Sequence, residues 1–218
     1  MLNETTRKVV VFMRSMCKGL FVALVAVLAL GAVSSAAMGA EWSVGGSTAF
    51  GTEALSSATA SLVGGKFTGE GKEITCGTLQ LQGGEVAEGG TGSATAVVLG
   101  TCRLVTYSEK CKLSSSTITT GAVTIDVVSA TEIEIAPKSG TELATYVIEN
   151  VGGKECALDG TNTITGNILD TVGSAGTEAT EHVATISGNS DIKVNGNAIR
   201  LAGASKLKLA SGKDWSIQ

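Results

Sequence analysis

The chain has 218 residues with 16 basic and 20 acidic side chains, a formal charge of −4, and only two arginines beyond residue 37, Arg103 and Arg200. An acidic, arginine-poor chain argues against nucleic acid or an anionic membrane surface as a partner. Aromatic residues make up only 4% of the chain, which disfavours a platform of stacked aromatic rings for sugars or single-stranded nucleic acid.

The N-terminal segment has the three-part organisation of a secretory signal peptide. Four basic residues precede an uncharged apolar run over residues 19–33, and small residues follow at 34–40. The run is shorter than the ~20 apolar residues that a membrane-spanning helix needs. We therefore predict a helical signal peptide over residues 1–37, cleaved after Ala37. An uncleaved membrane anchor is one alternative. A type IV pilin start is another, although Leu24 stands where that start requires glutamate.

Export changes the interpretation of the cysteines, because disulfides persist outside the cytoplasm. Four cysteines follow the predicted cleavage site, and this even number predicts two disulfides with three possible connectivities. Cys102 and Cys111 enclose a short loop that a hairpin can close, so we favour the pairs Cys102–Cys111 and Cys76–Cys156. Zinc binding is disfavoured because no two cysteines have C-x₂-C spacing and His182 is the only histidine.

Beyond the signal, short segments with period-two alternation follow one another, separated by glycine-rich turns. In the segment 131–136 the alternation places Ile133 and Ile135 inward and Glu132 and Glu134 outward. Turns are predicted at the glycine pairs 64–65, 83–84, 89–90 and 152–153, and at 159–160. The predicted strands are 58–63, 73–76, 78–82, 94–99, 122–128, 131–136, 143–149, 164–169 and 183–187.

The C-terminal part contains two predicted hairpins. The pair Asn195-Gly196 lies between alternating flanks and supplies the positive φ angles of a type I′ turn. A second hairpin is predicted at Gly203-Ala204, leading into a strand over 206–209. The two ends of the domain carry similar phrases around Trp42 and Trp215. Because the termini of a domain often lie close together, we predict that these ends are strands whose tryptophans pack on the core.

These elements predict an all-β fold, an antiparallel β-sandwich or barrel-like Greek key after the N-terminal signal-peptide helix. The mature chain, residues 38–218, has twelve basic and nineteen acidic residues, a formal charge of −7. It is long enough for one domain with one core. The alternative is a parallel β-solenoid, which the glycine, threonine and asparagine content allows. No fixed short period supports it.

No pattern of catalytic or metal-binding residues stands out. His182 lies at the start of a predicted strand without a Gly-x-Ser-x-Gly motif, and we predict a surface or edge histidine. The turns at 159–162 and 189–191 offer oxygen ligands for calcium but match no complete calcium-binding loop. Glu132 and Glu134 share a strand face, which a solvated surface explains. The sequence therefore predicts no catalytic residue, no metal and no cofactor.

Several short motifs carry a family resemblance. The segments Glu-Trp-x-Val-x-Gly at 41–46, Ile-Thr-Cys at 74–76 and Gly-Thr-Cys at 100–102, followed by Cys111, resemble small secreted actinobacterial proteins of unknown function. That resemblance implies export but no activity. A fainter resemblance, through residues 65–69 ahead of Cys76, is to chaperone-usher pilin subunits. The penultimate tyrosine of those subunits is replaced by Ile217.

The sequence thus favours a non-enzymatic protein that is secreted or associated with the cell envelope. We expect a structural or binding role, with contact to the cell wall or cell surface and no contact to the membrane after signal cleavage. The sequence does not identify a particular partner. One alternative is an extracellular carbohydrate-active hydrolase that uses carboxylates. The other is a self-assembling, pilin-like surface subunit.

Overall fold

A computed structural model describes residues 39–218, except positions 59, 70 and 189 and the side chains at 57–58, 60–67 and 69. The predicted signal peptide lies outside the described residues. Within them, β-strands are the only regular secondary structure and every pairing is antiparallel, which confirms the predicted fold class. The strands are β1 (Trp42–Val44), β2 (Thr52–Ala58), β3 (Ala60–Gly69), β4 (Lys72–Gln82), β5 (Gly84–Ala87), β6 (Gly92–Ala94), β7 (Ala96–Gly100), β8 (Arg103–Leu104), β9 (Cys111–Leu113), β10 (Ile118–Thr119), β11 (Val123–Ser129), β12 (Glu132–Pro137), β13 (Glu142–Asn150), β14 (Gly160–Val172), β15 (Glu181–Ile186), β16 (Asp191–Val194), β17 (Asn197–Ala198), β18 (Arg200–Ala202), β19 (Ala204–Leu209) and β20 (Trp215–Ile217).

Eight strands form a closed barrel in the order β12-β11-β6-β5-β2-β19-β15-β14, and β14 then pairs β12. Period-two alternation gives each strand one inward face. As predicted, Ile133 and Ile135 of β12 are buried inside the barrel, while Glu132 and Glu134 lie half-buried on its outer face. Closure leaves the barrel without a free edge, which removes the unpaired backbone groups that promote aggregation.

A second region, the sheet pair, consists of two open sheets. One contains β10, β7, β4, β3 and β18 in that order, with β8 attached to β4. The other contains β9, β13, the first part of β14, and β16 with β17. The long strand β14 joins the two regions. Its residues 160–167 pair β13 and β16 in the sheet pair, and its residues 168–172 pair β12 and β15 in the barrel.

One predicted strand and one predicted hairpin are wrong because the backbone passes from one sheet to another at these positions. The predicted strand 94–99 is divided at Thr95, whose amide and hydroxyl both bond to the Gln82 carbonyl, at 2.9 and 2.8 Å. Strand β6 therefore belongs to the barrel and β7 to the sheet pair. The predicted hairpin at Gly203-Ala204 is likewise absent, because β18 pairs β3 whereas β19 pairs β15 and β2.

The predicted turns have mixed outcomes. Asn195 and Gly196 have φ angles of +52° and +85° between β16 and β17, which confirms the type I′ hairpin. The predicted turn at 64–65 is wrong, because β3 continues through it with a register shift between Ser61 and Gly65. The predicted strands 73–76 and 78–82 form the single strand β4, which pairs β3 on both sides of Gly77 across a shift in register.

All four cysteines of the described residues form disulfides, as predicted, but the favoured pairing is wrong. The bonds are Cys76–Cys102 and Cys111–Cys156, with Cα atoms 3.9 and 5.4 Å apart. The segment between Cys102 and Cys111 crosses from one sheet of the pair to the other, because β8 pairs β4 and β9 pairs β13. These two cysteines therefore do not face each other in a hairpin, and each bonds to a cysteine beside its own sheet.

Candidate functional site

A small apolar cavity lies between the two sheets of the sheet pair, beside one end of the barrel. Its volume is about 30 Å³. Leu79 and Leu99 line it from one sheet, and Ile164 and Ile192 line it from the other. The one hydroxyl in the lining, that of Thr120, is occupied, because it accepts from the Val97 amide at 2.8 Å and donates to the Gly121 carbonyl at 2.7 Å. The cavity thus offers contacts to carbon and no free polar group.

The cavity has a half-buried rim. Leu79 and Leu99 on one side and Ile168 and Ile186 on the other are only partly covered, whereas Ile118 beneath them is fully buried. Half-buried apolar side chains around a concave apolar site are typical of the entrance to a site for an apolar ligand. The four rim residues lie in predicted strands, but no pattern in the sequence indicated a cavity.

A separate cluster closes the opposite end of the barrel. Strands β1 and β20 pair as a short cap ribbon, and the ring centroids of Trp42 and Trp215 lie 5.4 Å apart. Both tryptophans are only 1% exposed, which confirms the prediction that the two ends are strands packed on the core. The indole Nε1 atoms of both are buried without a hydrogen-bond partner.

The prediction of a surface or edge position for His182 is wrong. Its side chain is buried inside the barrel, and its ring packs edge-on against Trp215 with centroids 4.3 Å apart. Its Nδ1 lies 2.9 Å from the Gly173 carbonyl oxygen and its Nε2 lies 2.7 Å from the Trp215 carbonyl oxygen. Each ring nitrogen thus faces a backbone carbonyl oxygen, and neither is directed at a serine hydroxyl that it could activate. This arrangement holds the cap ribbon on the barrel.

Glu178 holds the outer side of the cap ribbon. The hydroxyls of Ser43 and Ser216, which face each other across β1 and β20, donate to its Oε1 at 2.9 and 2.8 Å. Both serines are fully buried, and the second oxygen, Oε2, is buried without a partner. The repeated Trp-Ser pair at the two ends of the sequence marked these serines, but nothing in the sequence pointed to Glu178.

The acidic residues considered for hydrolysis lie on the outer wall of the barrel. Glu134 pairs directly with Asp126 across β11 and β12, so their Cβ atoms are roughly 5 Å apart. Glu132 lies two residues along the same face. Both members of the Asp126–Glu134 pair are half-buried.

Three of the turn residues considered for calcium, Asp159, Asn162 and Asp191, are engaged by the protein's own donors, and Asn189 lies outside the described residues. Asp159 accepts from the Asn150 amide at 3.2 Å, and Asn162 accepts from the Lys72 ammonium at 3.0 Å. Asp191 forms an ion pair with Lys193 at 3.2 Å. Within the described part of the chain, no group of three or more histidine, cysteine or acidic residues is arranged to hold a metal ion.

Asp170 is the buried ionisable residue that sequence analysis missed. It is 6% exposed, and its Oδ1 is buried without a hydrogen-bond partner. Burial raises the pKa of its carboxyl to about 7. The sequence does contain a signal that Asp170 faces inward. The predicted strand ended at Leu169, one residue short of Asp170, although the alternation from Ile168 to Val172 continues through the aspartate.

Comparison of the chain with known proteins adds no relative: no family model, no curated protein and no solved structure matches it. The structure therefore defines the class of protein, a disulfide-bonded antiparallel barrel with an attached sheet pair. The described residues contain no helix of the length and hydropathy required to cross a membrane. Two disulfides are compatible with an extracellular location.

Proposed function

We propose that this protein is a non-enzymatic binding module that is secreted or associated with the cell envelope, and that its binding site is the apolar cavity of the sheet pair. The observation that carries the proposal is the half-buried rim of Leu79, Leu99, Ile168 and Ile186 around a cavity with no free polar group. The signal-peptide pattern and the two disulfides support the extracellular location.

The size of the cavity restricts its ligand. A volume of about 30 Å³ accommodates the end of an aliphatic chain and no ring. The remainder of the chain lies across the rim, where each buried methylene contributes about 0.8 kcal/mol. We therefore expect a linear aliphatic group, carried by a lipid or by an acylated partner, rather than a sugar or a nucleotide.

Binding of 1-octanol, followed by methyl chemical shifts and by calorimetry, tests this proposal. Leu99→Phe fills the cavity, and we expect it to weaken binding by roughly tenfold or more, which corresponds to about 1.4 kcal/mol. Val98→Phe is the matched control, because Val98 is the neighbouring residue of β7 and points to the opposite face. Octanol binding that Leu99→Phe leaves unchanged, or no binding by the wild-type protein, contradicts the proposal.

The hydrolase alternative has one observation in its favour, the directly opposed carboxylates of Asp126 and Glu134. Their spacing approaches that of retaining glycosidases. They lie on the outer wall of the barrel, however, whereas such catalysis needs a site that encloses the sugar. A screen of cell-wall polysaccharides with wild type and Glu134→Gln separates the two proposals, because hydrolysis lost in the variant establishes the enzyme.

Localisation and assembly are tested in the native host by fractionation and mass spectrometry of the non-reduced protein. We expect a monomer in the medium or envelope fraction that starts near Met38 and contains both disulfides. Ladders or fibres indicate the self-assembling surface subunit instead. Retention of residues 1–37 contradicts signal cleavage and indicates an N-terminal anchor.

A further inference from the structure

We infer that the barrel contains a pH-dependent lid, in which the hairpin of β11 and β12 loosens from the wall as the surroundings change from acidic to neutral, because Asp170 then ionises inside the barrel. This inference does not depend on the proposed binding function. It rests on the position of Asp170, on the groups around it, and on the way the hairpin is attached.

Asp170 lies at the centre of the short part of β14 that belongs to the barrel. It pairs with Ile133 of β12 on one side and with Ile186 of β15 on the other. Its neighbours on the same face of β14 are Ile168 and Val172. The carboxyl group is thus surrounded by aliphatic side chains, and its Oδ1 has no partner. Such a site tolerates a neutral carboxyl far better than a carboxylate.

No described cation faces this carboxyl. On β12, the inward residues are Ile133 and Ile135. On β15 the one titratable inward residue is His182, which lies four residues from Ile186 toward the cap, with its ring nitrogens 2.9 and 2.7 Å from the carbonyl oxygens of Gly173 and Trp215.

The remaining barrel strands add one more ionisable group to the interior side, Glu53 of β2, which forms an ion pair with Lys213. The charged residues of β5, β11 and β19 alternate to the outer face, where Lys206 of β19 pairs with Glu181. The carboxylate of Asp170 is therefore uncompensated when it forms, and the pKa of about 7 reflects this burial.

The hairpin of β11 and β12 is held in the barrel wall through six residue pairs, fewer than the eight that hold β15, the other strand beside Asp170. On one side β11 pairs β6 through Val123 and Thr124, and the Val127 amide donates to the Gly90 carbonyl at 2.7 Å. On the other side β12 pairs β14 through four residues, from Glu132 to Ile135, and Asp170 lies opposite the second of them. Separation of β12 from β14 brings water to the carboxyl. It exposes Ile125 and Ile133, which are buried in the closed barrel.

Hydrogen–deuterium exchange of the disulfide-bonded chain at about pH 5 and about pH 7.5, corrected for intrinsic exchange rates, tests the inference. We expect the protection of residues 123–137 to fall by roughly tenfold or more at the higher pH, because opening then releases a buried charge. The peptides of β9 and β13 should not change. Asp170→Asn should abolish the pH dependence, whereas Asp126→Asn, on the outer face of the same hairpin, should retain it.

Equal protection of the hairpin at both pH values in the wild type overturns the inference, and so does an unchanged pH dependence in Asp170→Asn. A ¹³C titration of the Asp170 carboxyl in the wild-type protein keeps the inference testable if the asparagine variant does not fold. We expect a midpoint near 7 that coincides with changes in the hairpin amides. A midpoint in the ordinary range of an aspartate, about 4, contradicts the inference.

Discussion

The barrel and the sheet pair, two regions of one chain, are stabilised in different ways. The barrel contains no disulfide and closes on itself, so every one of its strands has a neighbour on both sides. The sheet pair has open edges at β9, β10, β17 and β18, and both disulfides lie in this region. Both covalent cross-links are thus found in the region with open edges, and an open edge can fray or pair with another chain.

The two regions also differ in the polar groups that they bury. The barrel encloses Asp170, His182 and Ser205, whereas the cavity of the sheet pair presents no free polar group. A buried, unpartnered carboxyl destabilises its surroundings, while an apolar cavity does so only by lost packing. The barrel is therefore the region whose stability depends on pH, and the sheet pair is the region suited to an apolar ligand.

The largest effect is expected from removing the ring that closes the barrel. Trp215→Ala should lower the free energy of unfolding by about 3–5 kcal/mol, because a fully buried indole is replaced by a cavity. Trp215→Phe should cost less, since it keeps most of the ring and removes an N–H without a partner. Urea unfolding followed by circular dichroism measures both. A loss under 1 kcal/mol for the alanine variant contradicts the view that the cap holds the barrel.

Removing the cross-links should affect the other region. The loops closed by Cys111–Cys156 and Cys76–Cys102 span 45 and 26 residues. Chain entropy predicts losses of about 4 and about 3.5 kcal/mol for the two double alanine variants. Hydrogen exchange should show the loss of protection in β9, β13 and β4 before it appears in the barrel strands. Loss of protection that begins in the barrel contradicts the division of roles between the two regions.

The pH dependence of global stability should follow Asp170. A carboxyl with a folded pKa of about 7, against its ordinary value of 3.8, stabilises the folded state fully below about pH 4. This contribution falls as the pH rises and is lost above about pH 7, a change of roughly 4 kcal/mol. Urea unfolding between these limits measures it. Asp170→Asn should flatten the curve, and a wild type that becomes more stable across this interval contradicts the assignment.

A smaller effect is expected at the outer side of the cap ribbon. Glu178→Gln keeps one acceptor for the hydroxyls of Ser43 and Ser216, and it should cost about 1 kcal/mol or less. Ser43→Ala should cost a similar amount, because Ser216 continues to donate to the glutamate. Thermal unfolding measures both. A loss as large as that of Trp215→Ala would show that the carboxylate, rather than the tryptophans, holds the cap.

The smallest effect is expected at the ion pair between Glu53 and Lys213. Hydrogen bonds from Lys213 and Ser211 lower the pKa of Glu53, so this pair stabilises above about pH 4.5 and its contribution is lost as the pH falls. Glu53→Gln should cost about 0.2–1 kcal/mol at neutral pH, and less in high salt, because Lys213 is largely exposed. Urea unfolding at two salt concentrations measures it. A loss of stability that does not depend on salt contradicts the view that Glu53 acts through its ion pair with Lys213.

The sequence by itself determined the local features. The alternation from Glu132 to Ile135 correctly predicted that the isoleucines face inward. The Asn195-Gly196 pair predicted its hairpin, and the similar sequences around Trp42 and Trp215 indicated that the two ends are strands packed on the core. These features depend on neighbouring residues, since side-chain period and turn geometry are set within a few positions of the chain.

The tertiary structure alone decided which strands share a sheet. Thr95 and Gly203 carry no sequence signal for a change of sheet, and the cysteine pairing followed from a further change of sheet between Cys102 and Cys111 rather than from spacing. His182 and Asp170 became buried because closure of the barrel surrounds both residues from strands distant in sequence. Partners of that kind are selected by the packing of the whole chain, and no local pattern encodes them.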